Sequence, residues 1–305
     1  MRALGKVIVA LTLVGCTTSK PAGSAMPDLS PAPAGTLTVG LTSVATDPNA
    51  QAAALAGWVG EATGHATRPA LFPDYDSLAT AVAKGQVDVA LMSPLAYVRA
   101  ENQGKLNALG RTVRNGQSTY RAVLFTKAGS PVKNLDDLKK SKELKAAWVD
   151  PSSATGYIFP KAMLLQQKVD PAGLFKSQDF KGSHAAVCKA VVSGEADVGA
   201  TYSDDPAAQP ATHANGCDEA LGADASKLQL VAATANIPND ILAVRDGLDA
   251  DLTSKLSNGA NQLASSDAGK AKLKAAFEAE GFAPVSEADL DPVKAALDVF
   301  HASAQ

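Results

Sequence analysis

Ala81-Val82-Ala83-Lys84-Gly85-Gln86-Val87-Asp88-Val89-Ala90 and Ala190-Val191-Val192-Ser193-Gly194-Glu195-Ala196-Asp197-Val198-Gly199 share the pattern Ala-Val-x-x-Gly-x-x-Asp-Val at an offset of 109 residues. Each copy reads as the end of a helix, a glycine stop and the start of a strand. A repeat of that kind predicts two equivalent α/β units in one chain. Carried backwards, the same offset sets Tyr75 on His184, each just before its helix and each bearing a ring with a hydrogen-bonding edge. Open α/β sheets bind ligands beyond the carboxyl ends of their strands, so two such units facing each other define a cleft.

The alternation continues outward from the repeat. Strands are predicted at Thr36 to Leu41, Val87 to Leu91, Ala122 to Thr126, Ala146 to Val149, Ala196 to Thr201 and Leu228 to Ala233. Helices are predicted at Ala50 to Ala62, Tyr75 to Lys84, Asp136 to Lys140, Tyr157 to Gln167 and Ala185 to Val192. The Ala/Leu/Lys/Glu-rich stretch from Leu248 to Ala302 reads as helical, broken near Gly281 and Pro284. This succession predicts an α/β fold with a largely parallel sheet.

The 305 residues carry 28 Lys+Arg against 31 Asp+Glu, with 46% hydrophobic residues. That is a soluble globular composition with no basic footprint for nucleic acid. The first residues differ from the rest. Arg2 and Lys6 precede a short apolar run, Val7 to Val14, too short to span a bilayer as a helix and suited to an export signal. Leu13-Val14-Gly15-Cys16 resembles a bacterial lipobox, which implies cleavage before Cys16, lipidation of that cysteine and tethering of the protein at the outer face of a membrane. Thr17 to Ala34 is rich in Ser, Pro, Ala and Gly and reads as a flexible leash.

Two cysteines then remain, Cys188 and Cys217, and an even pair in an extracytoplasmic compartment suggests a disulfide. The same neighbourhood permits a second reading: His184-x-x-x-Cys188 and His213-x-x-x-Cys217 together offer four ligands of the kind zinc takes.

After the strand near Val149, Asp150-Pro151-Ser152-Ser153-Ala154-Thr155-Gly156 leads into a helix, and hydroxyls with free N–H groups at a helix N-terminus suit a tetrahedral anion without help from Arg or Lys. Met92-Ser93-Pro94-Leu95 repeats the arrangement in the first unit. With Asp74-Tyr75, Tyr120, Gly182-Ser183-His184 and Ile237-Pro238-Asn239-Asp240, these residues resemble, in order from about 36 to 245, the phosphonate/phosphite-binding proteins of ABC importers.

The resemblance implies a two-lobed type II periplasmic binding protein fold with a ligand cleft between the lobes. A signal peptide at 1–15 and a tether at 16–35 would precede lobe one, at 36–121 and 236–305, and lobe two, at 122–235. Ala122 to Thr126 and roughly Ala232 to Val244 would be the crossing strands. It further implies that Tyr75, Ser93, Tyr120, Ser153, Ala154, Thr155 and His184 hold a phosphorus oxyanion, with Asp204 and Asp240 at acidic positions. The family pattern favours Ser-Thr-Ser where this chain has Ser153-Ala154-Thr155, and Glu where Asp204 stands. The partners implied are a membrane permease and its cytoplasmic ATPase.

No G-x-S-x-G, H-E-x-x-H or Walker A motif is present, so neither an enzyme nor a cofactor is expected, and with the cysteines paired no metal is expected either. An alternative class is an oxyanion sensor, for phosphate, arsenite or the like, feeding a membrane histidine kinase. The two acids set a specificity problem, because carboxylates beside an oxyanion repel it unless a proton or cation intervenes. A ligand ammonium group or a protonated P–OH would solve it, and retention of both acids favours an aminoalkylphosphonate.

Overall fold

The computed structural model describes residues 25–42, 47–206 and 211–302; the predicted signal 1–15, the lipidation site Cys16 and the first part of the tether lie outside the described residues. Strands β1 (Thr36–Thr42), β2 (Ala66–Phe72), β3 (Val89–Met92) and β4 (Leu106–Val113) come first, joined by helices α1 (Pro48–Thr63), α2 (Tyr75–Ala83) and α3 (Pro94–Gln103). A second set follows: β5 (Thr119–Lys127), β6 (Leu144–Trp148), β7 (Phe175–Phe180), β8 (Val198–Ser203) and β9 (Leu228–Ala233). Between these strands lie α4 (Leu135–Lys140), α5 (Phe159–Gln166), α6 (Pro171–Leu174), α7 (His184–Ser193) and α8 (Asn215–Leu221). The chain then returns through β10 (Ile237–Pro238) and β11 (Ile241–Arg245) to α9 (Ala250–Gln262), α10 (Asp267–Phe277), β12 (Gly281–Ala283) and α11 (Glu287–Ala302).

Two sheets result, ordered β12-β4-β11-β3-β1-β2 and β10-β5-β8-β6-β7, with β9 also paired to β5. The blocks β2-β1-β3 and β7-β6-β8 are parallel. All other pairings are antiparallel, so the largely parallel sheet expected from the alternation is corrected to two mixed sheets. The reason lies in connectivity. A strand reached through a helical crossover runs parallel to its neighbour, whereas β5 and β11 each enter their sheet from the other one and run against β8 and β3.

The sequence repeat has a physical counterpart. Gly85 and Gly194 end equivalent helices with left-handed φ of 70° and 81°. Asp88 then donates its N–H to the Thr38 carbonyl at 2.9 Å and accepts the Thr38 N–H on Oδ2 at 2.7 Å. Asp197 makes the same reciprocal pair with Lys145, at 2.9 and 2.8 Å. Each aspartate thereby ties its loop to the middle strand of its parallel block, β1 in one sheet and β6 in the other.

The passages between the sheets run side by side, Thr119 and Tyr120 pairing with Pro238 and Ile237. Buried Asn239 staples them, its Nδ2 donating to the carbonyls of Thr112 at 3.1 Å and Gln117 at 2.9 Å. Behind this hinge α11 lies across both units. Leu290, Val293 and Leu297 share one apolar cluster with Leu78 and Met92 of the first and Ile158 and Phe159 of the second.

Candidate functional site

The loop after β6 shows how local sequence shapes the site. Ser153 caps the turn Ala154–Ile158, which is wound as a π-helix, its Oγ accepting the Gly156 N–H at 3.1 Å. Gly156 is required here, because a Cβ would stand 2.3 Å from Val149 and 2.7 Å from the Ser153 hydroxyl. The first N–H groups of such a turn have no acceptor within it. The Ser153 hydroxyl, having accepted from Gly156, keeps its own proton to donate.

Three further helix starts follow the same rule. Tyr75 opens α2 behind the Asp74 cap, Ser93 caps α3 with Oγ 3.3 Å from the Ala96 N–H, and His184 opens α7 behind the Ser183 cap. Tyr75 and His184 thus occupy matching positions in the two halves, as the repeat predicts.

Near these starts lies a cleft of about 430 Å³ between the sheets, to which Tyr120, Thr155, Asp204 and Asp240 contribute, and an adjoining recess of about 140 Å³ takes in Tyr75 and Ser93. Asp240 lines both. Ser153, Ala154 and His184 line neither cavity directly. His184 stands behind Tyr202, with ring centroids 5.2 Å apart and planes at 86°, and its Nδ1 lies 2.9 Å from the Thr201 hydroxyl. A larger hollow of about 730 Å³, reaching Lys270 and Lys274, opens on the far side of Arg114 but carries none of the predicted residues.

Burial decides the protonation states. It pushes the Tyr75 hydroxyl up to about 12, with Asp240 adding to the effect, and drives Tyr120 and Tyr202 further in the same direction. All three are therefore neutral donors at ordinary pH. Burial also holds His184 below the usual imidazole range, so it is uncharged at neutral pH. Asp204 is raised by burial and then by Glu219, against the pull of Arg114 and the Asn115 side chain.

Sequence reasoning missed Arg114, Asn115, Tyr202, Glu219 and Glu278, which line the same cleft. The one available signal was Asn115-Gly116, a tight-turn dipeptide just ahead of Tyr120. Arg114 matters most, because its Nη2 lies 2.6 Å from Asp240 Oδ2 and the acid expected to face the ligand alone has a cation beside it. The cysteine alternatives are resolved as well. Cys188 and Cys217 form a disulfide with their Cα atoms 5.4 Å apart, tying α7 to α8 and leaving no thiolate for zinc.

Two mixed α/β sheets, two adjacent crossings and a polar cleft between them define a substrate-binding protein of the type II periplasmic fold. The family model for the periplasmic phosphonate substrate-binding proteins of ABC transporters matches residues 40–290, and the chain belongs to that family. The phosphate-import protein PhnD of Mycolicibacterium smegmatis is 26% identical, over 98% of this chain and 97% of its own. PhnD1 from Prochlorococcus marinus, solved with methylphosphonate, is similar in fold with a TM-score of 0.64 and 18% identity, over 88% of this chain and 98% of its own. A binding protein of a Pseudomonas aeruginosa phosphonate transporter gives 0.63 and 20%, over 88% and 87%. The family works outside the cytoplasm with a membrane permease and an ATPase, and it consists of transport proteins rather than enzymes. Among the described residues no helix is long and apolar enough to cross a membrane.

Proposed function

We propose that this protein captures a phosphonate, phosphite or phosphate by closure of its two lobes and delivers it to the permease, held at the membrane by acyl chains on Cys16. In this reading the lobes are residues 36–121 with 236–305, and residues 122–235. The observation that carries it is a set of proton donors on the cleft and its adjoining recess: Thr155 of the open turn and the neutral hydroxyl of Tyr120 on the cleft, and the neutral hydroxyl of Tyr75 on the recess. Such donors stabilise a compact oxyanion without a bulk charge. Tyr75, Ser93, Tyr120, Ser153, Thr155, the Ala154 N–H and His184, the last by way of Tyr202 or directly on closure, make up the oxyanion set.

Titration calorimetry with phosphate, phosphite, methylphosphonate and 2-aminoethylphosphonate, with sulfate as control, tests the reading. Saturable one-to-one binding of at least one phosphorus oxyanion, with sulfate much weaker, is expected. Absence of binding across the panel overturns it, and a neighbouring kinase gene in place of permease genes would favour the sensor.

A further inference from the structure

Arg114 directly follows β4 and stands on the wall common to the cleft and the recess. Its Nε donates to the Glu278 carbonyl at 3.0 Å, and its Nη2 to Asp240 Oδ2 at 2.6 Å and the Phe277 carbonyl at 3.3 Å. The two carbonyls are those with which α10 ends, where a helix leaves acceptors unused and favours a cation. Glu278 takes a left-handed φ of 49° at that end. Three hydrogen bonds therefore fix the guanidinium on one edge, and Nη1 makes none to the described residues.

This arrangement bears on the acids of the cleft. Asp240 is held by Arg114, and Glu219 is bonded to the Tyr202 hydroxyl. Asp204 has its N–H on Asn215 Oδ1 at 2.8 Å and the Asn115 side chain beside its carboxyl group. Among these acids of the cleft, Asp240 is the one with a cation bonded to it; Glu219 and Asp204 have neutral partners, and Glu278 lies within the field of Arg114.

We propose that Arg114 is a specificity-determining residue of the cleft: by neutralising Asp240 and offering Nη1 to the bound oxyanion, it selects phosphorus oxyanions that carry no cation of their own over aminoalkylphosphonates. The inference rests on the phosphorus-oxyanion reading above and narrows it. A planar guanidinium suits the role because one edge can be spent on a carboxylate while the other meets an oxyanion.

The test is the ratio of the dissociation constants of 2-aminoethylphosphonate and methylphosphonate, measured by calorimetry for the wild type, Arg114→Gln, Asp240→Asn and the double variant, each checked for folding by circular dichroism. The wild type should favour methylphosphonate by about tenfold or more, roughly 1.4 kcal/mol. Arg114→Gln bares Asp240, so the ratio should fall at least tenfold; the double variant should recover most of it. Asp240→Asn bares the arginine and should raise the ratio, an outcome of opposite sign that keeps the test decisive if Arg114→Gln does not fold. A wild type that binds phosphorus oxyanions but favours 2-aminoethylphosphonate, or a ratio indifferent to both substitutions, overturns this inference alone. A wild type that binds no member of the panel overturns the functional reading, and the inference with it.

Discussion

Tyr157 and Phe300 meet edge to face, their ring centroids 5.9 Å apart and their planes at 87°. The first belongs to the turn that opens the candidate ligand loop in one unit, the second to the last helix, which also packs against the other unit. The loop and both sheets are thus joined through one apolar cluster behind the hinge.

Shared packing of this kind predicts cooperative unfolding. Leu297→Ala should cost about 2–5 kcal/mol and should lower the transition of both units together. The two tryptophans give local reporters, Trp58 in the first unit and Trp148 in the second. Denaturant curves of Trp58→Phe and Trp148→Phe backgrounds should show coincident midpoints with and without Leu297→Ala. Two separated midpoints would mean that α11 does not couple the units.

Gly156→Ala should damage the loop after β6. The added methyl has no room beside Val149 and the Ser153 hydroxyl, so the loop must shift. A stability loss of about 1–3 kcal/mol is expected, with at least a tenfold loss of methylphosphonate affinity. Thermal melts and calorimetry read the two effects separately; retained affinity would show that the loop is not part of the binding surface.

The disulfide between Cys188 and Cys217 closes a loop with a sequence separation of 29. By loop entropy its removal should cost roughly 3–4 kcal/mol. The Cys188→Ser/Cys217→Ser variant should melt lower than the oxidised protein and should no longer respond to reductant. Two free thiols in the native protein, seen by mass spectrometry under non-reducing conditions, would contradict the bond.

Two half-buried groups predict opposite pH effects. The folded-state value of His184 is depressed, so the stability it contributes is complete above the unfolded value near 6.5 and is lost as pH falls. Between pH 7 and pH 5 the wild type should lose more stability than His184→Gln. Asp204 is raised, so its contribution is complete below the unfolded value near 3.8 and is lost as pH rises through the folded one. Asp204→Asn should therefore melt higher than wild type at pH 7 and equally at pH 3.5. Parallel profiles for wild type and variant would remove that residue from the account.

The proposed acyl anchor on Cys16 predicts a separation of location from binding. Cys16→Ser should leave the protein unlipidated and release it from the membrane fraction with unchanged calorimetric affinity. Persistence of a membrane-bound, acylated product would place the anchor elsewhere.

The repeat carries much of the fold in plain view. Helix, glycine stop, aspartate and strand are local events, set by backbone conformation and by hydrogen bonds made within one βαβ unit, so Gly85, Asp88, Gly194 and Asp197 could be read from the sequence alone. The same holds for Ser93, Ser153 and the helix starts at Tyr75 and His184, because a cap is written within four residues. Strand direction was not legible, since it depends on which sheet a strand comes from, and β5 and β11 look like any other apolar run. The state of Asp240 was hidden for a related reason. Its partner Arg114 is 126 residues away and is aimed by the carbonyls of Phe277 and Glu278, which are 163 and 164 residues from Arg114. Sequence alone therefore determined the two equivalent units and the donors that open their helices, because short-range bonds specify them. Only the tertiary structure decided the charge of the cleft, because an acid's environment is set by the groups that distant segments bring within hydrogen-bonding distance.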